Sequence, residues 1–125
     1  MNTNHTIQRH HIETLILISF LNQDKSNEID QMEFREYRLP FELFKANKTY
    51  KLVAKAIRNL QDENKPIDEV TVISYITKHI EINQHEYLEL LSHVGCTFDT
   101  MILYLDYLRE IDEEEKKREL LRSVI

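Results

Sequence analysis

Glycine and proline are almost missing: Gly95, Pro40 and Pro66 are their only occurrences in 125 residues, where an average chain carries roughly 12% of the two together. One glycine cannot build the phosphate-cradling loops of Walker A, dinucleotide-binding or kinase type, each of which needs several. Cysteine occurs once, at Cys96, so no internal disulfide can form and nothing marks the chain as secreted. Basic residues are outnumbered, with 16 Lys+Arg against 22 Asp+Glu and a net charge of −6. That balance argues against a surface made for coating nucleic acid or anionic lipid, while leaving room for a local basic stripe. Long apolar runs are lacking too. The strongest, Leu15 to Leu21, has no small-residue cleavage site, and Asn22-Gln23-Asp24 ends it well short of the ~20 residues that span a bilayer. A cytoplasmic protein with no membrane partner is expected.

What remains is 42% hydrophobic and 30% charged, a composition rich in helix formers that predicts an all-α fold. The first six residues are polar and are expected to be disordered. From Ile7 to Leu21 the apolar residues wrap most of a helix, which predicts a helix buried on nearly all sides. Asn22 to Asn27 reads as a polar turn, and residues 28–40 carry no clear period. Leu52, Val53, Ala56, Ile57 and Leu60 recur at three- and four-residue steps, predicting an amphipathic helix over Lys48–Gln61. Next, Asn64 suits the left-handed conformation that stops a helix, Pro66 forbids continuing, and Asp68 can cap a following one. Val70 to Ile73 are β-branched and would suit a strand, but the spacing Ile73, Ile76, Ile80 and the lack of any partner strand favour a helix. Glu86 to Val94 reads as a short helix stopped by Gly95. Asp99 is expected to cap a last helix with Met101, Leu105, Leu108 and Ile111 on one face. Beyond it, Asp112, Glu113 and Glu114 stand four residues before Lys116, Lys117 and Arg118, an order that favours i,i+4 pairs. The helix shows no stop signal at Arg122-Ser123-Val124-Ile125 and looks cut.

Four segments in this order resemble the N-terminal domain of the bacterial replicative DNA helicase of DnaB type. They are Glu13-Thr14-Leu15-Ile16-Leu17-Ile18-Ser19-Phe20-Leu21; Leu52 to Leu60 running into Lys65-Pro66-Ile67-Asp68-Glu69-Val70-Thr71-Val72; Tyr87-Leu88-Glu89-Leu90-Leu91; and Tyr104 to Glu110. The likeness spans residues 12–125, and Pro66 to Val72, similar to the family's P-I-D-x-V-T-V junction, is its most specific part. Ile18 stands where that family usually has glycine, Asn64 replaces another, and the family's Gly-Gly before the tyrosine helix is absent. The resemblance implies a small orthogonal bundle of about six helices over residues 7–111. A charged helix over 112–125 would then begin the long hairpin of that family and lead to a linker. It also implies a non-catalytic module of DNA replication and the primosome. Such a module supports dimer and hexamer (collar) assembly, docks primase or a helicase loader, and leaves ATP hydrolysis to a motor domain elsewhere in the parent helicase. A free-standing helical replication regulator, a loader-like protein, or a primase's helicase-binding domain is the alternative.

Weighed residue by residue, the sequence offers no catalytic, cofactor or metal set. His93-x-x-Cys96 has the spacing of half a zinc site without a second pair to complete it, and chance placement is the ordinary reading. Cys96 with scattered histidines makes no nucleophile site without an oxyanion loop. Glu86/Glu89 and the Asp112–Glu115 run read as solvated helix faces rather than acid/base pairs. Two groups stay as candidates. Lys48, Lys51, Lys55 and Arg58 form a basic stripe that suits phosphate or an acidic partner, against the bland reading of a solvated face. Only Tyr50 is interleaved with it, which weakens stacking on single strands, so direct DNA contact is expected to be weak or absent. Tyr104, Tyr107, Leu108 and Ile111 make the last helix apolar over more than one stripe, suggesting an association surface or plain core.

Overall fold

A computed structural model describes the backbone of residues 3–124 and the side chains of residues 8–124. Among the described residues there are six α-helices and no strand: α1 (Thr3–Leu21), α2 (Glu28–Glu36), α3 (Lys48–Asp62), α4 (Glu69–Thr77), α5 (Gln84–Leu91) and α6 (Phe98–Val124), with single 3-10 turns at Gln23–Lys25 and Phe41–Leu43. The all-helical reading holds, including the β-branched run, which lies in α4. The backbone is already helical at Thr3, four residues before the expected start. Met1, Asn2 and Ile125 fall outside the described residues.

α1 is the axis of the bundle and packs against α6, α3 and α5. Ile16, Leu17, Ile18 and Phe20 are completely buried, which is why its apolar residues run round the helix instead of keeping to one stripe. α3 turns Val53, Ala56, Ile57 and Leu60 inward, and α6 contributes Met101, Leu105, Leu108 and Ile111, the faces their spacing predicts. An aromatic cluster closes one end. Phe34 meets Phe20 and Phe98 edge-on at centroid separations of 5.1 and 5.3 Å, and Tyr37 meets Phe98 at 5.7 Å.

The turn between α3 and α4 follows the expected chemistry in detail. Asn64 is left-handed, with φ of 55°. The amide of Lys65 donates to the Leu60 carbonyl at 2.9 Å and that of Asn64 to Gln61 at 3.1 Å, the paired bonds of a Schellman stop. Three residues on, the Asp68 carboxylate accepts from the amides of Val70 and Thr71 at 2.9 and 2.8 Å, and the Thr71 hydroxyl accepts from the Asp68 amide at 2.9 Å. This reciprocal box starts α4.

Several boundaries differ from the sequence reading. α2 forms where no period was visible, because Asn27 caps it, accepting from the Asp30 amide at 2.8 Å, and Phe34 alone anchors it in the core. α4 ends at Thr77 rather than Ile80, and α5 spans Gln84–Leu91 rather than Glu86–Val94. Gly95 therefore does not stop α5. It lies where the 92–97 loop crosses α1, and a Cβ there would come within 2.9 Å of the Ser19 Cα. The cap of α6 is Thr97, whose hydroxyl accepts from the Thr100 amide at 3.3 Å, while Asp99 sits inside the first turn.

Candidate interaction surfaces

The basic stripe of α3 resolves into two parts. Lys48, Lys51 and Lys55 are exposed along one side of the helix, each a cation held out in water. Arg58 is drawn into the fold. Its guanidinium donates to Asp62 at 3.2 Å and to the Leu39 carbonyl at 3.3 Å. Tyr50, the one aromatic in the stripe, is buried. It stacks on His10 with centroids 5.1 Å apart and shares a 2.6 Å hydrogen bond with Thr14. Burial, only partly offset by that bond, pushes its phenol pKa up. A surface of three lysines without an exposed ring attracts phosphate or carboxylate by charge alone.

The aromatic and aliphatic group on α6 is split by the fold. Leu108 and Ile111 are core residues, Tyr104 is half-buried, and only Tyr107, 44% exposed, faces water, with Leu103 at 47% one turn away. The four residues thus form no single outward patch: the last turns of the bundle needed two of them for its interior. Substituting a charge at Leu108 would test the core rather than an interface.

A buried ion cluster was missed by the sequence reading, which placed Asp112 and Glu115 on a solvated face. Asp112 is 5% exposed and Glu13 wholly buried. The Glu13 carboxylate accepts from the amides of Lys45 and Ala46 at 3.0 and 3.1 Å and from the Arg9 guanidinium at 3.1 Å. Arg9 donates also to the Leu43 carbonyl at 2.9 Å and to Glu115 at 3.1 Å. Lys45 reaches Asp112 at 2.6 Å and Lys116 reaches it at 3.1 Å. Three cations and three carboxylates are thereby matched, fastening α1, the loop before α3 and the middle of α6 together. Burial raises the Glu13 pKa above the usual carboxylate range, since the amides and Arg9 offset it only in part. Burial acts the same way on Asp112, but hydrogen bonds and charge from Lys45 and Lys116 outweigh it and hold that pKa low. Of the i,i+4 pairs expected over 112–118, Asp112–Lys116 forms at 3.1 Å; Glu115, which belonged to no expected pair, joins Arg9 across the fold.

Cys96 is half-buried in the loop over α1. Its amide donates to the Ser19 hydroxyl at 2.8 Å and its thiol lies 3.2 Å from the same oxygen. Burial, against a smaller effect of that contact, raises the thiol pKa, which keeps it protonated and weakly nucleophilic. Among the described residues no three His, Cys, Asp or Glu side chains are grouped so as to hold a metal ion, and His93 and Cys96 are not joined by a third ligand. No described helix is long and apolar enough to cross a membrane. Comparison with protein-family models, with curated proteins and with solved structures finds no match to this chain.

Proposed function

We propose that the chain is a non-catalytic protein–protein interaction domain of a replicative DNA helicase, supporting collar assembly and docking primase or a helicase loader. The observation that carries this reading is the Lys65–Val72 junction. The segment with the most specific likeness to that helicase domain is the Schellman stop, Pro66 and Asp68–Thr71 box that set α4 against α3. The rest of the chain is consistent with it. The bundle is small and helical, α6 runs on past the core for its last three turns, and three exposed lysines share one face of α3. Three lysines on one face suit an acidic protein surface better than a nucleic acid strand, because the local ring is buried and the overall charge of −6 repels phosphate at longer range.

Isothermal titration of the chain with the primase and the loader of its own cell tests the reading. Binding of either at low salt is expected, with Lys51→Glu combined with Lys55→Glu weakening it about tenfold or more. Absence of binding to both proteins, or turnover of ATP by the chain alone, would overturn it.

A further inference from the structure

A cleft of about 400 Å³ lies between α2 and the turn that joins α3 to α4, within the size range of small-molecule sites. Gln31 and Arg35, four residues apart on one side of α2, line it from one direction, and Lys65, Pro66 and Ile67 from the other. Gln31 donates to the carbonyls of Asp24 and Ser26 at 3.1 and 2.8 Å, so the cleft is tied in place without a ligand. Its buried lining is two glutamines, Gln23 and Gln61, 9% and 3% exposed. Gln61 is fully engaged, accepting from the Leu39 amide and donating to the Tyr37 carbonyl. Gln23 is only half used. Its Nε2 donates to the Phe20 carbonyl at 2.9 Å, while its Oε1 meets no donor among the described residues. A buried acceptor left open in an otherwise satisfied interior marks a place where something else bonds. Two charges in the lining are open as well. Arg35 and Asp24 are both exposed, and neither forms an ion pair with the other or with any described residue.

We infer that this cleft binds a free α-amino acid with an acidic side chain, of which L-glutamate is the type. The α-carboxylate takes the fork of Arg35, the geometry that guanidinium groups offer to carboxylates. The ammonium brings three donors, which answer Asp24 and the open Oε1 of Gln23. The side-chain carboxylate takes Lys65. That lysine meets Glu63 at 3.3 Å, but the pair is more than 40% exposed on both sides, so breaking it costs little. Opposite charges that share a cleft without pairing, beside a buried acceptor without a donor, match a zwitterion. A plain anion leaves Asp24 and Gln23 unanswered, and a plain cation leaves Arg35 unanswered. A peptide terminus carries an ammonium or a carboxylate, and only a free amino acid carries both on one carbon. This site goes beyond the helicase reading and does not depend on it, since it uses neither the lysines of α3 nor any part of α6.

Amide NMR of the full nitrogen-15-labelled chain, titrated with L-glutamate at constant ionic strength, tests it. Saturable shifts confined to the residues around the cleft are expected, with half-saturation at about 1 mM. Two analogues separate the contacts. Glutarate lacks the ammonium and γ-aminobutyrate lacks the α-carboxylate, and each is expected to bind about tenfold more weakly or worse. Arg35→Gln, at an exposed position, is expected to weaken glutamate about tenfold or more and to leave the rest of the spectrum unchanged. Gln23→Leu removes the open acceptor and is expected to act likewise. It also gives up the bond to the Phe20 carbonyl, so should it unfold the chain, Asp24→Asn takes its place on the ammonium side. No saturable shift up to about 50 mM glutamate, glutarate bound as tightly as glutamate, or Arg35→Gln bound like wild type would each overturn the inference.

Discussion

At the scale of single residues, the positions that matter most are those where an ordinary side chain would not fit or would not be satisfied. Gly95 is required by close approach and not by backbone conformation. Its added Cβ would press on the α1 backbone at Ser19, and backbone cannot rotate away as a side chain can. Gly95→Ala is expected to cost about 1–3 kcal/mol, read as a lower urea midpoint with an unchanged slope. Glu13→Ala removes the acceptor for two amides and leaves Arg9 short of a partner in a buried place, so a loss of about 3–5 kcal/mol is expected in the same measurement. The sequence held a visible trace of both. Glycine was conspicuous by its rarity, yet its reason lay in a crossing between residues 76 apart. Glu13 stands within a helix otherwise apolar on nearly all sides, where a lone acid signals a buried partner, but nothing local names Arg9, Lys45 or Asp112. Gln61 is similar: it continues the apolar stripe of α3, and its side chain accepts from the Leu39 amide at 2.9 Å and donates to the Tyr37 carbonyl at 2.7 Å.

At the scale of elements, local chemistry was the readable part. The stop of α3 and the start of α4 depend on residues next to one another, so Asn64, Pro66 and Asp68 announce them without reference to the rest of the fold. Asp68→Ala should cost about 1 kcal/mol through the lost cap, checked by thermal unfolding. The purpose of Asp112 depends on distant contacts and was not legible, whereas the start of α5 is set locally by Asn83, whose side chain accepts from the Glu86 amide at 3.1 Å, a cap the sequence reading passed over. A charge run reads the same whether water or Lys45 faces it. The clamp on α6 carries a pH signature. The Asp112 pKa is depressed in the folded chain, so its stabilisation is present above the ordinary aspartate pKa and is lost as pH falls through the folded value. Asp112→Asn is therefore expected to lower stability at neutral pH and to converge on wild type at strongly acid pH. Glu13 works in the opposite sense, its raised pKa favouring the folded chain below the ordinary glutamate value and withdrawing that help as pH rises. Comparing unfolding of the Asp112 variant with wild type across pH isolates the first effect, and a difference that stays constant from neutral to acid would refute it.

At the scale of the whole molecule, the design is a buried central helix, a layer of shorter helices around it, and one long helix held on by core leucines and then by charge. Fold class and the order of the main helices followed from scarce glycine, scarce proline and three-four spacing, whereas the outward surfaces did not. Sequence spacing grouped Tyr104, Tyr107, Leu108 and Ile111, and packing separated them. Spacing alone also gave no sign that Val70 and Leu88 share a groove with each other, since two helices joined by a loop must first be placed. The surfaces left outside include a lysine face on α3 and an apolar groove between α4 and α5, and the function proposed above rests on their being suited to other proteins.

That suitability is the centre of the account, and photo-crosslinking in the chain's own host cell tests it most directly. With a photoreactive amino acid in place of Lys51, the adducts are expected to contain primase, the helicase loader or the replicative helicase. Adducts confined to proteins outside DNA replication, or none at all at wild-type abundance, would contradict it.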